Sequence, residues 1–279
     1  MVFIQVKIIQ LMCSMIKWRN KAITTKIYKY LPNLSILMAI MLLVVYGIFF
    51  SNADWSLFQE QFFNFEKMRG RYHIFISPLI LILKIFFFSC FLAILIGLIM
   101  AIIRSFDNVF INGLITAYVV LFRSIPAMVL VVLVYFALPY VGLNLVSTNS
   151  VIASLSLLFS AYTTEIFRSG INSVDRFQLE AANALGMGSL QSMRWVVLPQ
   201  AFRVIIPPLT SVLIDILKTT SIAYVVGVPE LIARARQMEG VIGSVTPLIF
   251  VSFLYFIIIL PVVLFSSRLE KQSRRWSKN

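Results

Sequence analysis

Six long apolar stretches, at residues 34–50, 78–103, 114–138, 151–168, 204–226 and 246–265, alternate with segments that hold nearly all of the charge in this chain. A helix needs about 20 apolar residues to cross the hydrocarbon of a bilayer, and the stretches approach or exceed that length. The first is short, and the third is interrupted at Pro126. Hydrophobic residues make up 60% of the chain and charged residues 13%, against roughly 25% charged in an ordinary soluble domain. One soluble core could not bury so much apolar surface at this length. A helix satisfies every backbone group within a single lipid-exposed segment, and no ten-residue alternation of a barrel competes with it. The expected fold is an all-α membrane protein with about six transmembrane helices.

The net charge of +13 points to topology and not to nucleic acid, because the Lys and Arg lie between the apolar runs, as the positive-inside rule expects. The segment before the first run carries Lys7, Lys17, Arg19, Lys21, Lys26 and Lys29 and no acid. Placing it in the cytoplasm puts sixteen Lys and Arg inside and five outside. Six crossings then leave both termini cytoplasmic. The expected organisation is a basic tail at 1–33, a first span with its outer loop at 34–77, a membrane core at 78–268 and a basic tail at 269–279. The tail offers Phe3, Ile4, Ile8, Ile9, Leu11 and Met12 to lipid as an interfacial helix. Ser51-Asn52-Ala53 has the small residues of a signal-peptidase site, but more than thirty residues precede its apolar stretch, too many for a leader. Cys13 and Cys90 have no spacing that suggests a disulfide framework or a metal site.

The outer loops are too short to hold a domain with its own core. The longest inner connection, 169–203, carries internal structure. Asp175 is suited to cap a helix, with Gln178 three residues on, and Gly186 suits its left-handed end. Phe177, Ala181, Ala184 and Leu185 recur at helical spacing and form one apolar face. Ser189 can cap a second helix leading to Leu198-Pro199. The apolar face either docks into a groove on another protein or packs on this chain's own helix ends.

The run Glu180-Ala181-Ala182-Asn183-Ala184-Leu185-Gly186, followed by Leu198-Pro199-Gln200-Ala201, resembles the EAA loop of bacterial ABC importer permeases. Phe122-Arg123-Ser124-Ile125-Pro126, Glu165 to Ile171, Pro207-Pro208-Leu209, and Lys218 to Leu231 resemble the polar-amino-acid branch, closest in form to its glutamate/aspartate and general L-amino-acid members. The similarity runs from about residue 78 to the C-terminus. It implies a five-helix type I importer core plus one N-terminal helix in the bacterial inner membrane. It also implies that Glu180, Ala181, Ala182, Leu185 and Gly186 couple the chain to a cytoplasmic ABC ATPase dimer. The other implied partners are a second permease subunit, identical or homologous, an extracytoplasmic substrate-binding protein and membrane lipid. No G-x-x-x-x-G-K-[ST] loop occurs in the sequence, so ATP and magnesium are expected in the partner ATPase and no cofactor in this chain. The expected function is the permease subunit of an importer for a polar amino acid. The alternative is an ion-coupled secondary carrier or channel for a small polar solute, with Asp215 and Lys218 as its coupling site.

Charges deep in a span face a cavity or a partner. Asp215 and Lys218 lie near the middle of the fifth stretch at i, i+3, and Ser211, Thr219 and Ser221 add hydroxyls. They either line a substrate pathway or form a salt bridge that fixes packing between two permease subunits. The resembling branches usually carry an acid or amide at the position of Val212, Asn at that of Asp215, and Asn or Asp at that of Thr219. A carboxylate on the path disfavours acidic side chains unless Lys218 compensates it. Arg123 precedes the helix-breaking Pro126, and Glu165 and Arg168 are spaced for a local ion pair. These four either steady a kinked bundle or serve gating.

Overall fold

The structure, a computed structural model, describes residues 36–49, 54–104 and 108–276, with side chains as far as Glu270. The basic tail at 1–33, including Cys13 and its lipid-facing candidates, lies outside the described residues, as does Ser51-Asn52-Ala53. The chain divides into two units at Phe58 and Gln59. In the first, the described part of helix α1 (Ile36–Phe49) is apolar and 14 residues long, about 21 Å at 1.5 Å per residue. Asp54 then accepts the Leu57 amide at 3.0 Å and starts α2 (Trp55–Phe63). Trp55 stacks on Phe49 and meets the edge of Phe58.

The second unit begins within α2, after which two 3-10 turns (Phe65–Met68 and Tyr72–Phe75) lead into α3 (Ile76–Arg104). There follow α4 (Val109–Ser124), α5 (Ala127–Ala137), α6 (Ser147–Asn172), α7 (Arg176–Ala184), α8 (Ser189–Ser192), α9 (Leu198–Thr219), α10 (Leu231–Ile242) and α11 (Thr246–Trp276). Every element among the described residues is helical.

Helix α6 is the axis of the bundle. It packs on α3, α4, α5 and α9, and 67% of its membrane window is buried, against 28% for α3 and 6% for α11. Small residues allow this. Ser154, Ser156 and Thr164 return their hydroxyls to their own helix's carbonyls at 2.6–2.7 Å, so little polarity is left exposed. Thr163 Oγ1 crosses to the Ala93 carbonyl of α3 at 2.7 Å. Gly97 of α3 lies so close that an added Cβ would fall 1.9 Å from that hydroxyl.

Two expectations need correction. The third stretch, interrupted at Pro126 as its sequence suggests, is not one continuous helix over 114–138. It runs as α4 and α5, bent by 105° at the break. A residue before proline is pushed out of the helical region: Ile125 is extended, and Pro126 starts the next helix. The fifth stretch begins far earlier than residue 204. Helical structure is continuous from Ser189 to Val226, through α8, a π-helical turn at Met193–Val197, α9 and a 3-10 turn at Thr220–Val226. Its cap is Gly188 and not Ser189, the Gly188 amide being held by the Gln191 side chain at 3.1 Å.

Within the second unit, the parts of the segments expected outside, 59–77 and 227–245, contain helices and pack together. Met68, Phe75, Ile82, Leu231, Ala235, Met238 and Val251 form one buried cluster. The Gln61 carbonyl accepts bonds from the Val245 amide and the Ser244 hydroxyl at 2.9 and 2.7 Å. At the other end, α11 continues to Trp276, into the segment expected as a separate tail from 269.

Candidate functional site

Helix α7 is defined by its ends. Asp175 accepts the Phe177 amide at 3.0 Å. At the far end, the Gly186 and Met187 amides bond back to the Asn183 and Ala182 carbonyls at 2.9 and 3.1 Å, with Gly186 at φ +78°. This paired closure requires a left-handed residue, which glycine supplies without strain. One side of α7 belongs to this chain: Ala182 is 3% exposed, and Leu179 packs against the cluster of Ala101, Phe167, Val174, Val197, Ala201 and Ile205. The opposite side is bare. Phe177 is 76% and Leu185 83% exposed, and Ala181, Ala184, Glu180 and Gly186 are exposed beside them. Leu190 and Trp195 extend the exposed apolar surface into α8 and the π turn, with Arg194 over the Trp195 ring at 5.2 Å. Glu180 enters no ion pair among the described residues.

A second feature lies at the α4–α5 break. A cavity of about 460 Å³ opens there against α6 and α9, lined by Arg123, Pro126, Phe159, Tyr162, Val212 and Asp215, among others. Arg123 lies over the Tyr162 ring at 5.0 Å. Asp215 and Arg123, expected in separate groups, are therefore brought to one cavity. Ser211, Thr219, Lys218 and Ser221 do not line it.

Of the two readings of Asp215 and Lys218, the salt bridge is not formed within this chain: no ion pair joins them among the described residues. Spacing i, i+3 puts two residues on one face but does not choose their rotamers. Both side chains are exposed, as is Ser211 at i−4 from Asp215, so α9 turns a polar stripe outward. The Thr219 and Ser221 hydroxyls donate to the Asp215 and Lys218 carbonyls at 2.6 and 2.8 Å, which turns their protons to the backbone.

The third feature joins three helices. Glu165 of α6 takes Arg168 at 2.8 Å, as its spacing predicts, and also takes Arg104 of α3 at 2.5 Å. Arg104 Nη2 donates to Thr116 of α4 at 3.0 Å. Sequence reasoning missed Arg104, whose partner is 61 residues away. It also missed Phe159 and Tyr162, which carry no motif.

Residues 93–275 match the family described as the binding-protein-dependent transport system inner membrane component. The chain belongs to that family. It is a multi-pass membrane protein and the permease subunit of an ABC importer. A probable amino-acid ABC transporter permease, YckA of Bacillus subtilis, is 34% identical over 68% of this permease and 84% of its own length. GltK, the glutamate/aspartate import permease of Escherichia coli O157:H7, is 33% identical over 71% and 92% respectively. Among solved structures, an amino acid ABC transporter crystallised with histidines is 32% identical, with a TM-score of 0.70, over 75% of this permease and 98% of that chain. The MetNI methionine transporter, at 22% identity and a TM-score of 0.59, shares the fold.

Proposed function

We propose that this permease imports a polar amino acid delivered by an extracytoplasmic binding protein, driven by a cytoplasmic ATPase dimer that holds ATP and magnesium. It sits in the bacterial plasma membrane with both termini in the cytoplasm, and a second permease subunit, identical or homologous, completes the pathway. The observation that carries the reading is the two-sidedness of α7. One side is anchored on the chain's own bundle, while Phe177 and Leu185 stand bare on the other. A short helix held this way can receive a partner's motion and pass it to the bundle as a rigid body. Glu180, Ala181, Ala182, Leu185 and Gly186 are the coupling residues in this reading. The polar stripe of α9 supports the second subunit: Ser211, Asp215 and Lys218 are exposed on one face, and charges at membrane depth do not face hydrocarbon. The amino-acid class follows the names of the relatives.

The test is ATP-driven amino-acid uptake in proteoliposomes holding the permease, its ATPase and its binding protein. Leu185→Asp is expected to abolish transport-coupled ATP hydrolysis while the permease still inserts and folds. Full coupling in that variant would overturn the assignment of α7. Uptake by the wild type without ATP would replace the reading with an ion-coupled carrier.

A further inference from the structure

From Val204 to Lys218 of α9, the exposed residues are Val204, Pro208, Ser211, Asp215 and Lys218, and every residue between them is buried or half-buried. Their spacing alternates between four and three, the pattern of a seam along which two parallel helices pair. The exposed side of α11 differs in breadth and chemistry. It presents Phe253, Phe256, Ile257, Leu260 and Leu264, an apolar face suited to lipid tails. The α9 seam is narrow and carries two charges near the middle of a span, where ionisable groups face protein or water and not hydrocarbon. Asp215 and Lys218 enter no ion pair among the described residues. The seam therefore holds an anion and a cation one turn apart, each without a counter-charge from this chain.

From this we infer that the second permease subunit is an identical copy of this chain, joined along the α9 seam by two reciprocal ion pairs, Asp215 of each copy with Lys218 of the other. A contact across a two-fold axis occurs twice. Both copies keep one orientation in the membrane, so the axis follows the membrane normal and the two seams run parallel. Asp215 and Lys218 are adjacent seam positions about 4.5 Å apart in height, a step that the four-carbon stem of a lysine can span. Ser211, one turn on, is small enough to let the backbones approach. An identical copy supplies a cation for each anion, and the four charges cancel. A different chain would have to carry both charges at the same two levels. The inference rests on the reading that the polar stripe of α9 meets a second permease subunit.

The test uses two differently tagged copies of the permease, co-expressed with its ATPase in native membranes. One tag is expected to bring down the other, which needs no variant. Ser211→Cys, in a Cys13→Ser background with Cys90 buried, is expected to give oxidised dimers of this chain, and Phe256→Cys on α11 is not. Asp215 also borders the cavity at the α4–α5 break, so the charge reversals are scored by the Ser211→Cys dimer and not by transport. Asp215→Lys alone or Lys218→Asp alone sets four like charges together, and each is expected to cut the dimer yield at least about fivefold. Both reversals in one chain keep two ion pairs and are expected to restore the yield to within about twofold. Dimers at Phe256→Cys and not at Ser211→Cys overturn the inference. So do single reversals that crosslink like the parent, or a double reversal that stays as low as the singles. If the tags separate while a different permease chain comes down with the ATPase, the identical copy falls and the proposed function stands. If the complex holds one permease chain alone, the two-subunit reading falls as well.

Discussion

Arg104 at the end of α3 donates to Glu165 of α6 at 2.5 Å, and the same carboxylate takes Arg168 from its own helix at 2.8 Å. Glu165 is thus the shared acceptor of two guanidiniums and ties α3 to the bundle's axis. The partners differ in exposure: the Arg104 and Glu165 side chains are 18% and 24% exposed, and that of Arg168 is 40%. Removing one member of a largely desolvated pair leaves an uncompensated charge, here about 2–4 kcal/mol after allowing for partial exposure. A pair at the solvated edge is worth about 0–1 kcal/mol. Thermal unfolding in detergent is expected to rank Glu165→Gln as most destabilising, Arg104→Gln next and Arg168→Gln near neutral. An Arg168→Gln variant as unstable as Glu165→Gln would contradict this ranking.

Gly97 and Gly113 give a matched pair. Both lie inside helices, but a Cβ on Gly97 would meet Thr163 Oγ1 at 1.9 Å and the Thr164 amide nitrogen at 2.9 Å, whereas one on Gly113 meets nothing within 4 Å. Overpacking a closed interface costs about 1–3 kcal/mol. Gly113→Ala instead exchanges a poor helix former for the best one, a gain of up to about 1 kcal/mol. Gly97→Ala is expected to lower the unfolding temperature, and Gly113→Ala to hold or raise it.

The long spans that include α3, α6, α9 and α11 were legible in the sequence because burying about 20 apolar residues in lipid leaves a strong one-dimensional signal. The break at Pro126 was legible for the same local reason: proline acts on its own neighbours. Its 105° angle was not, since α4 and α5 both pack on α6, far along the chain. The ends of α7 were written in Asp175 and Gly186. Which face turns inward was harder to read, because alanines at 181, 182 and 184 surround the helix and blur the apolar period. Arg104–Glu165 left no trace because a contact across 61 residues has no spacing rule. Asp215–Lys218 shows the reverse: the spacing was present and the ion pair was not.

The two sides of α7 predict a separation of stability from coupling. Ala182 is buried against this chain, whereas Phe177 stands 76% exposed. Ala182→Leu forces extra volume into a packed contact and is expected to cost about 1–3 kcal/mol of stability. Phe177→Asp changes a bare surface, where substitutions stay within about 0.5 kcal/mol, and is expected to leave unfolding unchanged while ATP-driven uptake fails. Unfolding temperature and transport measured on both variants check the split. A destabilised Phe177→Asp variant would mean that Phe177 packs on this chain after all.

Glu230 carries a pH dependence whose sign can be worked out. It lies in the segment between the fifth and sixth apolar stretches, fully buried, where it accepts the Ala233 amide at 2.8 Å as the cap of α10 and the Tyr255 hydroxyl at 3.1 Å. Burial pushes its carboxyl above the ordinary 4.5, and the bonds from Ile232, Ala233 and Tyr255 offset only part of that. The folded state therefore holds this proton more tightly than the unfolded state. Its contribution is present in full below 4.5 and is lost as pH rises through the folded value. The slope within that window is at most about 1.4 kcal/mol per pH unit. Other groups titrate in the same range, so the informative quantity is a difference. Glu230→Gln keeps an oxygen for the Ala233 amide and has no charge to desolvate. Its stability relative to the wild type is expected to rise as pH is raised from 4.5 and then to level off. Glu230→Ala loses the cap and is expected to cost about 0.5–2 kcal/mol at low pH, where the wild-type carboxyl is neutral. Unfolding temperatures of the three proteins across the acid range decide it. A Gln variant that loses ground to the wild type as pH rises would show that the buried site favours the carboxylate.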